Sequence, residues 1–172
     1  MLIIIFGNIG AGKSTIAKAL SKKLGFSLIQ FDPLVPSVTG KENMYDKNNN
    51  FLLSNKDIEN VHSKMRENAK QILETDNGVV VESMYFKPQR EKIIKMAEKI
   101  NIKYKIIEVI CDEKETQKRI KKRITKNNQS AGIRLFIENK NSLGKEKIKH
   151  LVLDTTNKNI KTCVNSVIKF IN

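Results

Sequence analysis

The chain has 172 residues, 40% of them apolar and 29% charged, which suffices for one buried core and is too short for two ordinary domains. Its 32 Lys and Arg against 18 Asp and Glu give a net charge of +14, and no apolar run approaches the ~18 residues of a membrane span. Two cysteines, Cys111 and Cys163, make neither a disulfide framework nor a zinc pattern, so the composition describes a soluble, cytoplasmic, single-domain protein.

Leu2–Phe6 is an unbroken apolar run, as in a strand buried on both faces, and is too short for the ~7–15-residue apolar segment of a signal peptide. It leads directly into Gly7-Asn8-Ile9-Gly10-Ala11-Gly12-Lys13-Ser14, a complete G-x-x-x-x-G-K-[ST]. Ser14–Leu24 then carries Ile16, Ala17, Leu20 and Leu24 at helical spacing, with Gly25 as its stop. Between a buried strand and a helix, that motif has a definite chemistry. The glycines let successive N–H groups turn inward around an anion, and the helix aims its positive end at the same point. Lys13 supplies a charge for the transferring phosphoryl group, and the Ser14 hydroxyl is a ligand for Mg²⁺. Residues Gly7 to Thr15 are therefore read as a nucleoside-triphosphate site.

Ser27–Phe31 reads as a second strand, closed by Asp32-Pro33 because a proline pushes the residue before it out of helix. Pro33, Pro36, Gly40 and the polar tract Asp46–Asn50 predict a long loop over about 33–55, and loops of that length tend to be functional. Lys56 to about Thr75 has helical spacing, and Val79–Val81 is a third strand ending at Glu82. Pro88 opens a helix to about Ile100, Tyr104–Ile110 is a fourth strand, and Lys114 to about Thr125 is a strongly basic helix. After a polar break at Asn127–Gly132 come a short helix to about Lys140, a fifth strand at Leu151–Leu153 and a closing helix at Ile160–Ile171. Strands alternating with helices of this length predict an α/β fold of three layers, a five-stranded parallel sheet covered on both faces.

The whole chain resembles the small P-loop kinase superfamily. The likeness is to the branch with polynucleotide 5′-kinases, zeta-toxin-like and chloramphenicol phosphotransferase-like proteins. The P-loop carries it, supported by the order of Asp32, Val79-Val80-Val81-Glu82-Ser83, the late basic helix and Leu151-Val152-Leu153-Asp154-Thr155-Thr156. The resemblance implies a P-loop NTPase fold, ATP and Mg²⁺ as cofactors, Asp32 as the base that takes the acceptor's proton, Glu82 at the Walker B position and a lid over about 118–134. No N-K-x-D pair follows a strand, which argues against a switch GTPase.

The residues themselves leave alternatives open. Asp32 stands at the carboxyl end of a strand, where open α/β sheets bind ligands, yet it also suits a turn before Pro33. Glu82 emerges at the same edge, to hold Mg²⁺ through water, to fix the Ser14 hydroxyl, or to make an ordinary ion pair. Arg119 and Arg123, one helical turn apart, can clamp a transferring phosphate or belong to a solvated basic face, with Arg134 a lesser candidate. His62 and His150 read as surface residues, and Tyr45, Phe51, Tyr85 and Phe86 as packing or as a platform for a flat acceptor. Residues 87–172 hold 22 basic and 9 acidic side chains, against 10 and 9 in residues 1–86. That excess marks either a nucleic-acid surface or a compositional bias, since 27 of the basic residues are Lys. The expected activity is ATP-dependent transfer of the γ-phosphate to a hydroxyl of a small molecule or nucleotide, with no membrane association. A polynucleotide 5′-hydroxyl kinase and a non-catalytic regulatory or toxin-like module are the competing readings, and the sequence is silent on oligomeric state.

Overall fold

β1 (Leu2–Gly7) is buried at all six positions and lies at the centre of the sheet. The computed structural model describes residues 1–75, 77–124, 132–140 and 142–172. Around β1 are α1 (Lys13–Leu24), β2 (Ser27–Gln30), α2 (Phe31–Thr39), α3 (Asn55–Leu73), β3 (Val79–Glu82), α4 (Lys87–Lys99) and β4 (Tyr104–Ile110). The chain continues through α5 (Glu113–Ile124), α6 (Ile133–Glu138), β5 (Leu151–Asp154) and α7 (Ile160–Ile171). The five strands are parallel in the order β2-β3-β1-β4-β5.

The two-residue period of β1 divides the core. Leu2, Ile4 and Phe6 face α2, α3 and α4, meeting Val61, Met65 and Ile93. Ile3 and Ile5 face α1 and α7, meeting Ile16, Leu20, Val164 and Val167. Each such fully buried aliphatic side chain contributes roughly 1.5–3 kcal/mol, so these layers are what hold the strand ends in place. A third, smaller cluster of Ile9, Ile120 and Phe136 seats α5 and α6 above the carboxyl edge of the sheet. No described helix is long and apolar enough to cross a membrane.

The fold class is the expected one, and three local expectations are corrected. Phe31 is not the last residue of a strand but the first of α2, and about a third of the 33–55 segment is helix rather than loop. Pro33 falls in the first turn, where its missing N–H has no carbonyl to serve. Pro36 removes only the bond to the Asp32 carbonyl, and Gly40, at φ 70°, then ends the helix. His62 is no surface residue: only 2% of it is exposed, because it falls on the buried face of α3 beside Val61 and Met65. His150 is half-buried and lies 3.3 Å from a Glu108 carboxylate oxygen. Of the expected lid over 118–134, residues 125–131 lie outside the described residues.

One buried charge ties the upper edge together. The Arg90 guanidinium, fully buried over the Phe6 ring, donates to the carbonyls of Tyr85, Leu143 and Gly144 and pairs with Glu146 at 3.0 Å. The β3–α4 turn, which carries Ser83 and Tyr85, is thereby fastened to the segment that follows α6.

Candidate active site

The glycine loop is shaped by what it must pass. Gly7, at φ 148°, lies so close to β4 that a Cβ there would sit 2.1 Å from the Val109 carbonyl oxygen. Gly10, at φ 78°, would place one 2.8 Å from Thr116 of α5. Only glycine fits either position. Two struts fix the loop from outside. Thr155 Oγ1 donates to the Ala11 carbonyl at 2.8 Å, and Asn8 Nδ2 to the Phe136 carbonyl at 3.1 Å. Inside the loop the Ile9 N–H donates to Asn8 Oδ1 at 2.7 Å, and Ile9 itself packs on Ile120 and Phe136.

Gly12 caps α1 without a side-chain hydrogen bond, and the first turn contains no acidic residue. The first N–H groups of α1, beside exposed Ser14 and Thr15, therefore face the cavity with the positive end of the helix dipole behind them. Lys13 Nζ donates across the loop to the Asn8 carbonyl at 3.0 Å, closing the loop into a ring. Burial pulls the Lys13 pKa down, while Glu82 and Asp32 oppose that shift.

A cavity of about 730 Å³ opens from this loop along the carboxyl edge of the sheet. Lys13, Ser14, Asp32, Glu82, Arg119 and Arg123 all line it. Asp32 enters from the first turn of α2, and its pKa is raised by burial first and by the Glu82 charge second, with Lys13 and Arg123 opposing. The register sets Glu82 beside Ile5 of β1 and Gln30 of β2, and Gln30 Nε2 donates to its carboxylate at 2.8 Å. The two arginines divide. The Arg119 guanidinium donates to both oxygens of Thr155 at 3.0 Å and pairs with Glu115. Arg123 acts electrostatically on Lys13 and Asp32 and, on the far wall, on Tyr45. Arg134 is 86% exposed and pairs with Glu138.

The far wall is built by side chains from distant parts of the chain. Tyr45 and Phe51 bridge two short extended stretches with rings 5.5 Å apart, and the Asp46 carboxylate closes the turn between them by accepting from the N–H groups of Asn48 and Asn50. Lys41 fastens this hairpin to α3, donating to the Leu52 carbonyl and to Asp57, the capping partner of Ser54. Burial, reinforced by the Asp32 charge, pushes the Tyr45 phenol up to about 12. His62 stacks between Phe31 and Tyr85, and its Nε2 lies 3.0 Å from Ser83 Oγ. Burial holds the His62 pKa at about 4, so the ring is neutral at physiological pH.

Sequence reasoning missed His62 as a site residue, while Ser83 and Thr155 entered it only as parts of the Val79–Ser83 and Leu151–Thr156 motifs. For His62 a signal existed, since it shares the Ile58–Val61–Met65 stripe of α3. For Ser83 and Thr155 the individual contacts, with His62 and with Arg119 and Ala11, come from three-dimensional placement.

The donor set suits a hard cation and a polyphosphate. The Ser14 hydroxyl, the Glu82 carboxylate and the neighbouring Asp32 are oxygen donors of the kind Mg²⁺ takes together with phosphate oxygens and water. Among the described residues no three His, Cys, Asp or Glu side chains form a metal cage of their own.

A family model described as an AAA domain matches residues 2–135, from β1 into α6. No curated protein matches the sequence. A gluconokinase from Sinorhizobium meliloti superposes with a TM-score of 0.70 at 15% identity, covering 97% of this chain and 89% of that one. The APS kinase CysC of Mycobacterium tuberculosis, solved with AMPPNP and APS, gives 0.70 at 17% identity over 99% and 96%. Kti12 of Chaetomium thermophilum, solved with ADP-AlF3, gives 0.71 at 16% identity over all of both chains. At such identities the likeness is one of fold, and the last two of these structures hold nucleotides.

Proposed function

The chain belongs to the AAA domain family and has the fold of the small P-loop kinases, and from that premise we propose that it transfers the γ-phosphate of ATP to an acceptor hydroxyl. One observation carries the reading: a carboxylate, Asp32, shares a single cavity with the phosphate-cradling loop and with Arg123.

The N–H groups of the Gly7–Ser14 loop hold the β-phosphate, and Lys13 moves its donated hydrogen bond from the Asn8 carbonyl to a phosphate oxygen. Ser14 and, through water, Glu82 would hold Mg²⁺, which would supply neutralisation of phosphate charge. Asp32 accepts the proton of the acceptor hydroxyl as that oxygen bonds to the γ-phosphorus, while the bond to the bridging oxygen of ADP breaks. Burial favours Asp32 once it has taken the proton, which suits a base in the second half of its task. Arg123 meets the charge that develops on the transferring group, and Arg119, fixed on Thr155, lines the donor side.

The test is ADP release by the purified protein with Mg²⁺ and ATP, with and without alcohols of different classes. Release that depends on an acceptor, with phosphate recovered on it, is the expected result. ATP binding with no acceptor-dependent release by any class would favour the regulatory module.

A further inference from the structure

Resting on that reading, we propose that the acceptor is a non-anionic alcohol, uncharged or amine-bearing, with a flat or apolar body. Phosphate-bearing acceptors, polynucleotide 5′ ends among them, are selected against.

Charge placement is the first support. Among the described residues Lys13, Arg119 and Arg123 are the only Lys or Arg that line the cavity; Lys13 and Arg119 belong to the loop side, and Arg123 acts on Lys13 as well as on Asp32 and Tyr45. Lys13 is part of the phosphate loop, Arg119 is tied to Thr155 and Glu115, and Arg123 acts on Lys13 and Asp32. The acceptor half holds carboxylates instead: Asp32, Glu82 and, at the mouth, Glu42. An anionic group entering there gives up its water and meets three carboxylates, while among the described lining residues only Arg123 reaches that side and it already acts on Lys13 and Asp32. Among the described residues of 87–172 the two arginines are the only basic side chains that line this cavity, so the rest of that described basic excess does not face the acceptor.

The walls are the second support. Tyr45 and Phe51 form one side, Phe86 and Met84 line it from the β3–α4 turn, and Met44 and Phe31 complete the apolar surface. Phe51 is 38% exposed although it has an aromatic partner, and it lies where an entering ring would cover it. The Asp46 turn and the Lys41 tether hold this wall in place before anything binds, which lowers the ordering cost of binding. The polar groups between the aromatics are uncharged: Asn43, Asn55, Ser83 and the neutral His62. They can orient a hydroxyl or an amide and cannot neutralise a phosphate.

The experiment uses the full chain with its donor site saturated by AMPPNP, and acceptors paired so that one member carries a phosphate where the other carries an amine or a hydroxyl. Suitable pairs are 4-(aminomethyl)benzyl alcohol with 4-(hydroxymethyl)phenyl phosphate, and thymidine with thymidine 3′-monophosphate. Binding is read by calorimetry, and ADP release with ATP in place of AMPPNP. The expected result is that the phosphate-bearing member of each pair binds and turns over at least tenfold less well. Equal or tighter binding of a phosphate-bearing member would overturn the proposal even with ADP released, leaving phosphotransfer intact. Selective binding of the non-anionic members without ADP release would uphold the charge selection and remove the phosphotransfer reading. Failure of every member to bind overturns the proposal.

Discussion

The two halves of the cavity are made in different ways. The donor half is one stretch of chain, Gly7 to Thr15, whose binding groups are backbone N–H groups held by a fully buried strand, two struts and a helix end. The acceptor half draws side chains from the start of α2, the hairpin around Tyr45 and Phe51, the middle of α3 and the β3–α4 turn. A backbone cradle recognises what every nucleoside triphosphate shares, while a side-chain wall can be changed without disturbing the sheet. The first half therefore reports the reaction class and the second the partner.

Perturbations should divide along the same line. The largest effect belongs to the cradle: Lys13→Ala should lower turnover by ~100-fold or more, because it deletes the cation that faces the transferring group. Circular dichroism and melting should change little. Wild-type-like turnover in a folded variant would break the donor assignment.

Next come the arginines, which should separate. Arg123→Ala should lower kcat by ~10-fold or more with little change in ATP affinity, since the charge it meets develops during transfer. Arg119→Ala should weaken ATP binding by a comparable factor, because it loosens the Thr155 strut on the loop. Equal, small effects at both positions, matching those of Lys122→Ala, would mark a solvated basic face.

The acceptor wall should respond to pH through His62. Its pKa is lowered in the folded state, from the ordinary 6.5 to about 4, so the unfolded chain binds the proton more readily. Its contribution is intact above pH 6.5 and is lost as pH falls toward 4, by up to about 3 kcal/mol. Denaturant unfolding between pH 7.5 and 4.5 should show a steeper decline for the wild type than for His62→Gln. Parallel curves would contradict the neutral, buried ring.

The smallest expected effect lies in the hairpin. Lys41→Met removes a solvent-screened tether to Asp57, so stability should barely move. The KM for the acceptor should rise about threefold while that for ATP stays put, and a change in both would show that the wall and the cradle are not separable.

This division also explains what the sequence made legible. β4 and α7 occupy Tyr104–Ile110 and Ile160–Ile171 as the pattern predicts, because apolar runs and caps are local signals. The glycine loop was readable for the same reason, since its chemistry is written in consecutive residues. α2 was not. Its two prolines read as loop, and the burial of Phe31 and Val35 against α3 outweighs them. Arg119 and Arg123 look equivalent by spacing, and the contact that separates them comes from Thr155, 36 residues away. The Tyr45–Phe51 wall depends on the Asp46 turn and on the Lys41 tether to Asp57, neither of which spacing reveals.

The central claim is that Asp32 is there for the acceptor's proton, and Asp32→Asn tests it most directly. Burial raises the Asp32 pKa, so its ionised form costs stability above that pKa, and the cost fades as pH falls through it. The account predicts that at pH 8 the variant binds ATP as the wild type does, melts at the same temperature or higher, and transfers phosphate 10²–10⁴-fold more slowly. Preserved kcat with a lower melting temperature would contradict it and make Asp32 a turn residue of α2.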